Sequence, residues 1–135
     1  MSRLPDWDKR LQKYLTKSKK KKFAWGQFDC ALFAMDGVRE MTGIDYASTW
    51  RNEYSNETGA FRQLSKHGVN SVHEWLDRTL SRSNVDFAKK GDVVCKHQNR
   101  FGAFGICLGE KSAFVSDVGW TEKNTKSCDY FWRID

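Results

Sequence analysis

The stretch Phe23-Ala24-Trp25-Gly26-Gln27-Phe28-Asp29-Cys30 decides how this chain is read, because it delivers a cysteine to the start of a helix. Asp29 is a favourable N-cap residue, residues 31 to 41 are mostly apolar and lack proline, and Gly43 supplies a C-terminal stop. Cys30 is therefore predicted in the first helical turn. Unpaired backbone N–H groups and the positive end of the helix dipole there favour thiolate over thiol. The Trp25-Gly26 approach predicts a tight turn, and Ala34, Val38 and Met41 form an apolar face that buries the helix behind the sulfur. A free cysteine is also an ordinary small hydrophobe, so the local pattern leaves a packing role open.

Upstream, Pro5 followed by Trp7, Leu11, Tyr14 and Leu15 reads as an amphipathic helix that ends near Lys17 and the run Lys19 to Lys22. Residues 1–22 are thus expected to be an N-terminal helix plus a lysine-rich linker. Downstream, residues 45–54 and 59–66 read as two short helices, the second stopped by Gly68. Ser71-Val72-His73-Glu74 is a capping box that opens a helix through Leu80. From Gly91 onward short apolar runs separated by glycine and polar residues predict strands at 92–97, 103–108, 112–116 and 128–134. Helices first and an antiparallel sheet afterwards make an α+β fold.

The 135 residues suit one domain, 1–135, large enough to bury a core without a disulfide or metal staple. Six Trp, nine Phe and four Tyr supply much of the buried area, with Trp50, Tyr54, Trp120 and Trp132 expected to be partly exposed as contact sites. The net charge of +6 owes much to the lysine run, read as a solvated linker, although such a run also suits nucleic acid, anionic lipid or a polyanionic cell wall. Aromatic residues do not interleave with basic ones elsewhere, so a nucleic-acid partner is not expected. No apolar leader or membrane-length stretch is present, which predicts synthesis in the cytoplasm and no membrane span. Cysteines 30, 95, 107 and 128 form no CxxC pair and no ligand spacing with His67, His73 or His97, so neither metal nor cofactor is expected.

Three pieces occur in order: Trp25-Gly26 with Asp29-Cys30, then Gly91-Asp92-Val93-Val94, then Phe104-Gly105-Ile106-Cys107-Leu108-Gly109. This order resembles the NlpC-type, papain-like cysteine peptidases that cut peptidoglycan peptides. The resemblance implies Cys30 as nucleophile and a structural turn role for Asp92. Laying the family's His-Val-Gly-Ile-Tyr-Leu-Gly over Ala103 to Gly109 puts alanine where the general base belongs, and alanine cannot take a proton. Phe23 stands where many of those enzymes carry an aromatic hydroxyl, which puts an oxyanion contact in doubt. His97 is the candidate replacement base, because a hairpin loop at 98–102 would set it directly across from Ala103.

The chain more fully resembles small phage and prophage proteins encoded among tail genes. Those proteins share a Thr-Gly-Ile-Asp turn (Thr42 to Asp45), an Arg-x-x-Tyr segment (Arg51 to Tyr54), a Gly-Ala-x-Arg-x-Leu helix (Gly59 to Leu64) and a terminal Trp-Arg-Ile (Trp132 to Ile134). The resemblance implies a virion component at the tail tip or baseplate, with a degenerate NlpC-like domain. Its partners would be other tail proteins such as the hub, and peptidoglycan. Three alternatives remain: an active cysteine peptidase or amidase using Cys30 with His97, a cytoplasmic thiol acyltransferase, and a basic adaptor for nucleic acid.

Overall fold

The computed structural model describes residues 3–97 and 102–135. Four helices, α1 (Trp7–Ser18), α2 (Cys30–Thr42), α3 (Glu57–Lys66) and α4 (Val72–Asp77), precede most of the sheet. The strands are β1 (Arg82–Asn84), β2 (Val93–Lys96), β3 (Ala103–Cys107), β4 (Lys111–Ser116), β5 (Gly119–Asn124) and β6 (Tyr130–Trp132). They form one sheet in the order β1-β6-β2-β3-β4-β5, with every pairing antiparallel. This is the expected α+β arrangement. Side chains alternate across the sheet, so its two faces bury different sets. Val93, Cys95, Phe104, Ile106, Ala113 and Trp132 join the helices, where Leu11, Phe33, Val38 and Met41 meet them. Val94, Cys107, Phe114 and Phe131 pack on the opposite face with Val85 and Cys128.

Local chemistry explains the helix boundaries. The Asn56 side chain accepts from Gly59 N, and Ser71 accepts from Glu74 N while Glu74 accepts in return from Asn70 N. Asp92, fully buried, accepts from the backbone N–H groups of Lys89 and Ile134 at 2.9 and 3.0 Å and faces Arg3 and Arg133 at 3.1 and 3.3 Å. Its carboxylate ties both ends of the chain to the turn before β2, a structural role of wider reach than the turn itself.

Several expectations are corrected. Residues 45–54 are successive turns, not a helix. Asp45 Oδ1 accepts from Ala47 N at 3.1 Å, and Arg51 closes onto both Asp45 and Asp36. β1 and β5 are additional strands, and both lie at sheet edges. Trp50, Tyr54 and Trp132 are buried, and of the four aromatics expected to be partly exposed only Trp120 is so. The lysine run is no free linker. Lys19 Nζ sits 3.6 Å from the Trp120 ring centroid, Trp120 N donates to Lys19 O at 3.1 Å, and Phe23 N donates to Ser116 O at 3.0 Å.

Candidate cysteine site and its relatives

The cysteine helix begins where its capping residue dictates. Asp29 Oδ1 accepts from Leu32 N at 3.0 Å, Oδ2 accepts from Gly26 N at 3.1 Å, and the Tyr54 hydroxyl donates to Oδ2. Gly26 adopts φ +76°, and a Cβ there would fall 1.9 Å from the Tyr54 carbonyl oxygen. Asn52 N in turn donates to Gly26 O at 2.8 Å. The approach loop and the 51–54 segment are therefore interlocked beneath the helix start. Burial pushes the Asp29 carboxyl above the ordinary carboxylate range, against the hydrogen bonds from Tyr54 and the backbone.

Cys30 occupies the first position of α2 and is the only one of the four cysteines with appreciable exposure. Its Sγ donates to Gly102 O at 3.4 Å, a bond that requires the proton to stay on sulfur. Burial pushes the thiol up to about 12, outweighing the Phe104 backbone amide that favours thiolate, while Asp29 reinforces the rise. Desolvation and the neighbouring acid thus oppose the thiolate that the helix start favours.

A buried imidazole that the sequence pattern does not point to lies on the far side of Gly102. His73, in the first turn of α4 and 4% exposed, places Nε2 at 3.2 Å from Cys95 Sγ. Its ring lies 5.3 Å from the Phe104 centroid and 5.9 Å from that of Trp132. Burial first, then Arg82 and His97, pulls the His73 pKa below its ordinary value, and burial raises the Cys95 thiol. The pair is therefore neutral, thiol beside imidazole. Gly102 separates it from Cys30. A Cβ on Gly102 would lie 2.9 Å from His73 Cε1 and 3.1 Å from Cys95 Sγ.

His97 is exposed. Its backbone N–H donates to Asp129 Oδ2 at 2.7 Å, and its ring centroid is 5.7 Å from that of His73. β2 and β3 pair Lys96 with Ala103, so His97 falls one residue beyond the expected register. The expected hairpin loop lies, except for Gly102, outside the described residues. Phe104 and Ile106 face the helices while Gly105 and Cys107 face the other side, and Ala103 is in phase with the latter pair. A side chain at 103 thus points away from α2. Asp117 lies exposed in the β4–β5 turn. Among the described residues no cluster of three or more His, Cys, Asp or Glu side chains is arranged to hold a metal ion.

Helices packed on one face of an antiparallel sheet, with a cysteine opening the central helix, define an NlpC/p60-like, papain-like fold. The chain is similar to the crystal structure of the NlpC/p60 domain of the peptidoglycan hydrolase SagA, with a TM-score of 0.60 and 15% identity over 93% of this chain and 97% of that one. The protein belongs to the family described as Domain of unknown function (DUF6950), whose model matches residues 2–134. No curated protein matches it.

Proposed function

We propose that this protein is a phage or prophage tail-tip or baseplate component that retains an NlpC-type scaffold but hydrolyses peptidoglycan weakly or not at all. The observation that carries the loss of activity is the setting of Cys30: its Sγ is bonded to a backbone carbonyl, and among the described residues no imidazole is hydrogen-bonded to it. Cysteine hydrolases need that imidazole twice, to generate the thiolate and then to protonate the leaving amine. The tail assignment is supported by the combined Thr42–Asp45, Arg51–Tyr54, Gly59–Leu64 and Trp132–Ile134 segments. In this reading the scaffold contributes contacts with neighbouring tail proteins and with the cell wall.

Two measurements test the reading. Purified protein incubated with peptidoglycan fragments is expected to release no new amine termini above a Cys30→Ala control. Robust cleavage abolished by Cys30→Ala and by either His97→Ala or His73→Ala would establish an active peptidase or amidase instead. Mass spectrometry of intact particles is expected to detect the chain. Its absence from particles but abundance in infected cells would make it an assembly or lysis factor.

A further inference from the structure

The outer faces of α1 and α2 enclose an open groove whose rim is predominantly cationic. Lys9, Lys13 and Lys17 follow one another at four-residue spacing along α1, Lys21 continues the row beyond the helix, and Arg39 stands on α2. Four residues of helix advance about 6 Å, so the ammonium groups form a row at regular short intervals. The groove's arginines are already engaged, Arg39 with Asp45 at 3.9 Å, Arg10 with Asp6 at 2.8 Å, and Arg51 with Asp36 and Asp45. Among the described residues Lys9, Lys13 and Lys17 make no ion pair, and all three side chains are exposed. Glu40 is the remaining carboxylate of the lining, on the α2 side.

We infer that this groove binds a linear phosphodiester polymer without bases, of the poly(glycerol phosphate) type found in cell envelopes. The charges left free along α1 are lysines, compact point charges that suit evenly spaced phosphates and confer no planar, bidentate selectivity. The aromatic lining is committed elsewhere. Tyr14 donates its hydroxyl to Phe33 O at 2.9 Å, and Phe28 is buried beneath Lys21, whose Nζ lies 4.5 Å from the ring centroid. The Tyr14 ring is half-buried and packs at 5.9 Å against Phe33, so the lining offers no open aromatic platform for a base, unlike the surfaces of single-strand binders. Successive phosphates of a glycerol phosphate chain are only six bonds apart, a repeat that a row of lysines can follow. The inference stands on α1 and is independent of whether Cys30 is active.

The test is a binding titration of the full chain with poly(glycerol phosphate), with single-stranded oligothymidylate and polyglutamate as comparison polymers. At about 50 mM salt the wild type is expected to bind poly(glycerol phosphate) most tightly, and the triple variant K9E/K13E/K17E at least about tenfold more weakly. The slope of log Kobs against log salt should shrink in magnitude by about 2 to 3 in that variant, roughly one per lysine. A K66E/K89E/K126E variant with the same charge change outside the groove controls for net charge, and circular dichroism checks the fold of both. Absence of binding, an equal loss in the two variants, or equal or tighter binding of either comparison polymer would overturn the assignment.

Discussion

The Tyr54 hydroxyl donates to the same Asp29 carboxylate that caps the cysteine helix, so a side chain 25 residues downstream fixes the start of α2. Tyr54→Phe keeps the ring against Trp25 and Trp50 and removes this bond. The expected loss is about 1–3 kcal/mol in urea unfolding, because a buried acceptor loses its donor. The bond lowers the Asp29 pKa, so the variant should raise it further. The folded variant then holds its proton to higher pH than the wild type, and the stability difference should narrow as pH falls. A stability loss that widened as pH fell would contradict this linkage.

Gly26 and Gly43 separate two costs of replacing glycine. Both have positive φ, +76° and +81°, but a Cβ at Gly26 meets the Tyr54 carbonyl at 1.9 Å whereas Gly43 faces open space. Gly43→Ala should cost only the left-handed backbone penalty, about 1–2 kcal/mol. Gly26→Ala adds a collision with backbone and is expected to cost more than about 4 kcal/mol or to prevent folding. Similar unfolding midpoints for the two variants would rule out the interlock between the approach loop and the 51–54 segment.

Asp92 should be far more sensitive than its charged partners. Asp92→Ala removes a fully buried carboxylate that serves Arg3, Arg133 and two backbone N–H groups, and should cost about 3–5 kcal/mol. Arg133→Ala deletes a side chain 30% exposed and should cost no more than about 1 kcal/mol from the ion pair. Chemical denaturation of the two variants compares them directly.

The cysteine helix was legible because its signals are local. An Asp cap, an apolar run and a glycine stop act within one segment, and α2 starts at Cys30 and ends before Gly43 as they require. β2, β3 and β4 were legible because buried strands carry continuous apolar runs. β5 was not, since Gly119–Asn124 is largely polar at a sheet edge, and β1 is a fully exposed tripeptide. Residues 45–54 have helix-like periodicity, but the Asx turn at Asp45 and the Arg51 ion pairs draw the backbone into turns. His73 was hidden by its capping-box setting. Only the fold brings α4 onto β2, and no sequence spacing encodes the 3.2 Å approach to Cys95.

Replacing Ala103 is expected not to restore hydrolysis. The family pattern puts histidine there, yet in this sheet position 103 is in phase with Gly105 and Cys107, on the face away from α2. Ala103→His should therefore leave peptidoglycan cleavage at the level of the parent protein while folding normally. Activity gained by this single change, and lost again with Cys30→Ala, would show that the imbalance lies in the missing base alone.

The four thiols should differ in access, and Cys30, Cys95 and Cys128 should share a pH trend. Cys30, the partly exposed one, is expected to alkylate before Cys95, Cys107 and Cys128 in the native protein, as read by peptide mapping after brief iodoacetamide treatment. Its rate at neutral pH should nevertheless fall well below that of a free cysteine, and should keep rising beyond pH 10, because burial holds the thiol near 12 and only thiolate reacts. Folding stability follows the same linkage. Cys30, Cys95 and Cys128 all have folded-state pKa values raised by burial, so above the unfolded value, about 8.5, the unfolded chain binds fewer protons than the folded one. Stability should therefore decline as pH rises from about 8.5 toward 11, and Cys30→Ser should flatten part of that decline. A Cys30 alkylation rate that levels off near pH 8 would show that the sulfur is an activated nucleophile and that the carbonyl of Gly102 does not hold its proton.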